Sequence, residues 1–408
     1  LYLSYRQAFF VMVFDCDVIV VGAGPAGSVA ALRLSQAGRR VVLVDRAAFP
    51  RDKTCGDGLI ADALAVLRQL SLEESVRNAA YRTNRLLTIS PGGVEVRFES
   101  TFFVLPRRQF DQVLFERALA AGAEFRQLIV DGPIHEGDRV VGVVARPPGS
   151  ETAIRVRAPL TLLATGAEGG VLRKFDEQAR VSPSGLAVRT YAQLTRGSDV
   201  TDLVISLERD LLPGYAWAFP APGGVLNVGV GALSGKSPRS QGINLRSRLD
   251  ALLAGKGRLG AMLGPMQAVE RQRGAPLRTG LMGSMLGRPG LAIVGEAGGT
   301  TYAVTGEGIG KAMESAMLAS DLVEACDGDP AAVGPQFAQA MTRRYGARFA
   351  AYTTAEKWVA RPFVADYVAR RANTSRWVHD RLTGVINERD LPNRVFSARS
   401  IWRLLTHA

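Results

Sequence analysis

The chain has 408 residues, 47% of them hydrophobic and 22% charged, a balance that supports a large buried core and excludes wholesale disorder. Its three cysteines, Cys16, Cys55 and Cys326, and its three histidines, His135, His379 and His407, are scattered, which counts against a disulfide framework and against a metal site. The net charge of +12 raises nucleic acid as a partner, but 13 Lys/Arg against 5 Asp/Glu fall in residues 341–408, so the excess is a basic C-terminal lobe rather than a nucleic-acid groove.

The first eleven residues precede Met12 and lack the pattern of a signal peptide; they read as an extension ahead of a start codon. The longest uncharged run, 18–32, is shorter than the roughly 18 residues of a membrane span and contains Gly22, Gly24, Pro25 and Gly27. A buried apolar run (VIVV), the turn GAGPAG, a helix-like stretch ending at Gly38 and a second run (VVLVD) predict a strand–helix–strand unit in a parallel sheet. Helical spacing over 59–67 follows. Residues 86–90 and 94–98, joined by Pro91-Gly92-Gly93, read as a hairpin. A helix over 109–121, a second hairpin around Pro147-Pro148-Gly149 and a buried strand at 160–164 come next, then alternating strands through 186–231. A last buried strand, 291–294, enters a glycine-rich turn and a helix. Residues 331–408 read as an arginine-rich helical tail carrying Trp358, Phe363, Tyr367, Trp377 and Trp402.

The expected fold is α/β: a discontinuous Rossmann-type dinucleotide-binding domain (12–62, 105–175 and 285–330), which the residues below assign as an FAD-binding domain, an inserted antiparallel β-sheet substrate domain (63–104 and 176–284) and a basic C-terminal helical region (331–408). Gly22-x-Gly24-x-x-Gly27 between strand and helix, with Asp45 ending the next strand, suits a dinucleotide. The glycines admit a pyrophosphate to the helix N-terminus and the carboxylate can accept from ribose hydroxyls. The fingerprint alone does not separate FAD from NAD. Glu296 after a buried strand, able to hold ribityl hydroxyls, and Gly306-Glu307-Gly308 opening a helix favour a flavin. Arg107, with Phe110 and Asp111 in the pattern RxxFD, is a second candidate cofactor contact.

GAGPAG with Asp45, the segment Pro50-Arg51-Asp52-Lys53-Thr54-Cys55-Gly56-Asp57-Gly58, Arg107 with Phe110-Asp111, Tyr215-Ala216-Trp217-Ala218-Phe219-Pro220 followed by Asn227-Val228-Gly229-Val230-Gly231, and Gly295-Glu296-Ala297 with Thr305-Gly306-Glu307-Gly308 resemble the geranylgeranyl reductase family, within the flavoproteins folded like para-hydroxybenzoate hydroxylase. The resemblance covers residues 15 to about 325. It implies non-covalent FAD and a reduced flavin that saturates double bonds of a polyprenyl lipid or prenyl diphosphate, the electrons coming from NADPH or a ferredoxin-type protein. It places Gly22, Gly24, Pro25, Ala26, Gly27, Asp45, Arg46, Lys53, Cys55, Gly56, Gly58, Arg107, Gly295, Glu296, Gly306, Gly308 and Ile309 at the cofactor, and Tyr215, Trp217, Phe219 and Pro220 at the substrate.

An isolated alkene has no carbonyl to take up charge, so hydride delivery to one carbon requires protonation of the other. Cys55 is the candidate acid and Tyr215 the alternative, with Trp217 beside them. Three positions depart from the wider group: Thr165-Gly166 where Asp-Gly is usual, Glu296 for Asp, and Ala303 where proline often stands. A flavin-dependent monooxygenase of the same fold is the alternative reading, and a non-catalytic flavoprotein or membrane-binding module a further one. The tail suggests a cytoplasmic protein in peripheral contact with an anionic membrane at its inner face, or a helical cap on the β domain.

Overall fold

The computed structural model describes residues 13–177, 183–195, 200–233, 242–281, 285–398 and 400; the residues up to Met12, and Trp402, lie outside them. Strands Val18–Val21, Val41–Asp45, Leu160–Leu163 and Leu291–Ile293 are aliphatic throughout apart from Asp45 and Thr161, as central strands covered on both faces must be. They join Glu124–Gln127 in a parallel sheet, with Gly287–Arg288 added antiparallel at one edge. Alternation along VIVV divides the packing. Val18 and Val20 face helices Pro25–Gln36, Arg107–Ala120 and Ile309–Ala325, while Ile19 and Val21 face a four-stranded sheet formed by Val13–Asp15, Ile129–Glu136, Arg139–Arg146 and Ile154–Arg157.

A nine-stranded sheet forms the second lobe among the described residues. Its strand Tyr215–Ala221 lies between Val225–Leu233 and Leu203–Ser206, antiparallel to both. One junction differs from the antiparallel expectation: Leu203–Ser206 runs parallel to Tyr81–Ile89. Along Tyr215–Ala221, Trp217 and Phe219 turn to one face, and Ala216 and Ala218 turn to the other, which helices Leu245–Leu253 and Gly257–Leu263 cover. The expected division at residue 62 follows neither lobe. Helices Ala61–Gln69 and Glu73–Ala79 send Leu64, Leu67 and Val76 into the core of the parallel-sheet lobe, whereas Gly58–Leu59 pairs with Phe103 and Val104 in the large sheet.

The tail forms helices Pro330–Val359, Pro362–Thr374 and Arg376–Ile386. Val364, Val368 and Val378 pack with Phe98, Phe102, Trp217 and Phe219, so the last two helices cover the same sheet face that carries the aromatic pair. Among the described residues no helix is long and apolar enough to cross a membrane.

Candidate active site

The turn after Val18–Val21 is built by close approach. Gly22 has φ of 101°, and a Cβ there would stand 2.4 Å from the Ala164 carbonyl oxygen; a Cβ on Gly27 would stand 1.7 Å from the Gly22 carbonyl oxygen. No other residue fits either place. Helix Pro25–Gln36 begins at Gly24 with no side chain capping its first N–H groups and no acidic residue in its first turn. Those donors and the helix dipole suit a phosphate. Asp45 accepts from the Ala23 N–H at 2.8 Å and the Ala47 N–H at 2.9 Å, one on each oxygen, which leaves lone pairs for ribose hydroxyls.

A cavity of 560 Å³ runs from this turn to the large sheet. Gly22, Gly24, Pro25, Ala26, Asp45, Arg46, Arg107, Glu296, Gly306, Gly308 and Ile309 line its one end; Leu86, Phe102, Leu203, Ile205, Trp217 and Phe219 line the other; Lys53, Cys55, Gly56, Gly58 and Tyr215 also line it. Three expected site residues do not. Gly27 sits beneath the turn, and Gly295 packs against Ala26 and Ala312, where its absent side chain makes room for the helices. Pro220 alternates to the opposite side of its strand from Phe219, toward the helices rather than the substrate side.

The expected cofactor contacts are held by partners of their own. Arg107 is buried and chelates Asp111 through Nε at 2.6 Å and Nη2 at 2.8 Å. Arg46 reaches Glu168 at 2.7 Å in an exposed pair of small energetic weight. Glu296 Oε1 accepts from the Arg278 N–H and the Thr301 hydroxyl, both at 3.3 Å, which holds its carboxyl on the cavity wall. A glycine cradle that any Cβ would fill, uncapped helix donors, a carboxylate at the strand end and a second glycine turn on the same cavity are together the fittings FAD requires.

Cys55 is half-buried on the cavity wall. Burial raises its pKa, against the nearby positive charge of Arg107, so the group is a thiol rather than a thiolate. Tyr215 is pushed up too, by burial first and then by Glu307, and its hydroxyl donates to the Thr305 carbonyl oxygen. Trp217 Nε1 donates to Asn227 Oδ1 at 3.0 Å, and its ring lies where a side chain on Gly229 of the next strand would be, 2.2 Å from that Cβ position. Trp217 is thus a fixed wall with its one donor spent.

Sequence reasoning missed the polar hub under this wall. Asp57, fully buried with φ of 64°, accepts from Asn227 Nδ2 at 2.7 Å, from the Tyr191 hydroxyl, and from the Arg107 N–H at 3.3 Å. Asn227 also donates to the Cys55 carbonyl oxygen at 2.8 Å, so one amide fixes the backbone of the thiol and the indole together. Burial pushes the Asp57 carboxyl up to about 6, with Tyr191, Arg189 and Asn227 pulling the other way. Arg189, itself buried, bonds Asp52 at 2.7 Å and lies over the Tyr191 ring. Asp57 and Asn227 stand inside the quoted motifs, and that was the available signal. Tyr191 and Arg189 lie in an alternating strand pattern that carries none.

A second missed cluster ties the tail to the cofactor end. Buried Lys311 meets Asp62 at 3.3 Å, Glu314 at 2.8 Å and Glu388 at 3.1 Å, and Glu388 also pairs with Arg348 at 3.1 Å. Burial raises the carboxyl of Asp62 to about 6 and that of Glu307 well above the usual carboxylate range.

The family described as FAD binding domain matches residues 15–205. The chain is 34% identical over 329 residues to menaquinone reductase of Mycobacterium tuberculosis, spanning 77% of this chain and 78% of that one. It is 32% identical to digeranylgeranylglycerophospholipid reductase 1 of Methanopyrus kandleri, over 77% and 82% of the two chains. Among solved structures, a geranylgeranyl bacteriochlorophyll reductase-like protein of Thermoplasma acidophilum superposes with a TM-score of 0.76 over 96% of both chains at 20% identity. A flavin-dependent brominase does so with 0.75 at 16% identity, over 96% of this chain and 98% of its own. Such distant likenesses speak for the fold alone. The glycine cradle and the relatives of more than 30% identity agree: this chain belongs to the geranylgeranyl reductase family of FAD-dependent oxidoreductases.

Proposed function

We propose that the enzyme reduces carbon–carbon double bonds of polyprenyl chains. One observation carries the reading: a thiol held protonated stands on a cavity that joins the FAD fittings to an apolar sheet face. FAD, when bound and reduced, supplies a hydride to one alkene carbon. Leu86, Phe102, Leu203 and Ile205 offer a dry surface for an isoprenoid chain, and Trp217 and Phe219 wall the reacting bond. The Cys55 S–H bond then breaks toward the other carbon, whose C–H bond forms with that proton. The electron pair stays on sulfur, and the charge of Arg107 offsets the thiolate until solvent returns a proton.

Relatives named for menaquinone and for digeranylgeranylglycerophospholipid support a polyprenyl lipid, or its prenyl diphosphate precursor, as substrate class. The electron donor is NADPH or a ferredoxin-type protein. Contact with anionic lipid belongs to the same reading. Phe363 is 69% and Trp377 49% exposed on the tail helices, with Arg381 over the Trp377 ring.

The test is anaerobic incubation of the chemically reduced protein with prenyl lipids in anionic vesicles, followed by sedimentation and mass spectrometry. A gain of about two mass units per double bond is expected, lost in Cys55→Ala, with protein in the vesicle pellet at low salt. A gain of about sixteen units, appearing only with oxygen and NADPH, would establish a monooxygenase instead.

A further inference from the structure

We propose that Arg51 grips the pyrophosphate of FAD and so fastens the segment that carries Lys53 and Cys55, an inference that rests on the cofactor assignment above. Arg51 stands at a position where the pattern PxxKxCGxG specifies nothing, in a stretch between Asp45 and Gly58 that is neither helix nor strand. Its guanidinium nevertheless reaches back to the first glycine turn. Nη2 lies 3.4 Å from the point a Cβ on Gly24 would occupy, at the uncapped start of helix Pro25–Gln36, and the residue lines the cavity there.

Packing aims this group. Its Cζ sits 4.9 Å from the centroid of the Phe49 ring, which stacks on Phe115 at 4.3 Å. Nη1 stands 3.0 Å from Asp111 Oδ2 and makes no hydrogen bond among the described residues. The carboxylate of Asp111 is already chelated by Arg107, so two guanidinium groups share one carboxylate. The trio carries one surplus positive charge beside backbone N–H groups that face the same space. A pyrophosphate there offers negative charge to that surplus and to the helix N–H groups, and supplies acceptors in the geometry a planar guanidinium fork fits. Three residues separate Arg51 from Cys55, so a bond at the pyrophosphate shortens the free span over which the thiol's loop can move.

The experiment strips flavin from the full-length protein and titrates it with FAD, riboflavin, ADP and adenosine, reading flavin fluorescence and competition. Arg51→Gln is expected to weaken FAD and ADP by about ten- to a hundredfold, the loss of a charge-assisted hydrogen bond, and to leave riboflavin and adenosine unchanged. Arg51→Lys keeps the charge without the fork and recovers part of the loss. Unchanged FAD affinity in Arg51→Gln, or an equal loss for FAD and riboflavin, overturns the proposal, the latter making Arg51 a packing residue. Should Arg51→Gln not fold, the FAD-to-riboflavin affinity ratio of Arg51→Lys decides in the same way. Wild-type protein that takes up neither flavin overturns the cofactor assignment itself, a result distinct from both.

Discussion

The two ends of the cavity are made of different material. At the first glycine turn the surface is backbone, with N–H groups exposed because Gly22, Gly24 and Gly27 bring no side chain. At the large sheet it is side chain: Leu86, Phe102, Leu203, Ile205 and Trp217 arrive from four strands. At Gly22 and Gly27 this backbone site tolerates no added atom, because the carbonyl oxygens it would strike cannot rotate away. A side-chain surface can change its contents and keep its shape. Cofactor retention and substrate choice should therefore fail separately.

The largest effect belongs to the backbone end. A Cβ at residue 27 would stand 1.7 Å from the Gly22 carbonyl oxygen and 3.3 Å from Val20 Cγ1, so Gly27→Val must move the turn or the helix. Its expected cost is about 3 kcal/mol or more in stability, with loss of bound flavin. Urea unfolding and the flavin-to-protein absorbance ratio read the two together. A stable variant that keeps its flavin would show the turn to be adjustable and end the comparison.

A smaller effect separates the ends. Ile205 lines the cavity on the sheet side, on strand Leu203–Ser206. Ile205→Trp adds bulk where the isoprenoid chain is proposed to lie, and should lower kcat/KM for long prenyl chains about tenfold while FAD affinity stays within about twofold. Short prenyl substrates should suffer less. Equal losses of FAD and substrate would mean that the two ends respond as one.

The same contrast explains what could be read from the chain. Backbone sites need glycines at fixed spacing, so GAGPAG with Asp45 and Gly306-Glu307-Gly308 were legible one residue at a time, as were the buried parallel strands. The motif at 215–220 gave Trp217 and Phe219 but carried Pro220 along with them. Only strand alternation, which turns neighbours to opposite faces, distinguishes it. Leu86, Leu203 and Ile205 look like any half-buried strand residue; what makes them a surface is the parallel pairing of 203–206 with 81–89, a long-range contact no local pattern announces. Arg51 and Tyr191 are illegible for the same reason, since each acts on a residue far away in sequence.

The subtlest effect is a change in pH slope and concerns Asp57, which couples the two ends through Arg107 on one side and Asn227 with Trp217 on the other. Its carboxyl is fully buried and raised from 3.8 to about 6, chiefly by burial. Between those pH values the folded protein holds a proton that the unfolded chain has released. Stability from this group is therefore complete below about pH 4, falls as pH rises to about 6 and is level above, by about 3 kcal/mol at most. Asp62, raised likewise, acts in the same window, so Asp57→Asn should remove only part of the slope. The amide keeps an acceptor for Tyr191 and Asn227 but turns an NH2 toward the Arg107 N–H, a local conflict that lowers stability by a similar amount at every pH. Urea midpoints at half-unit steps from pH 4 to 7 isolate the difference in slope from that constant offset. If Asp57→Asn left the slope as it is in the wild type, the carboxyl would be ionising as an ordinary surface acid, and its three hydrogen bonds would be offsetting the full cost of burial.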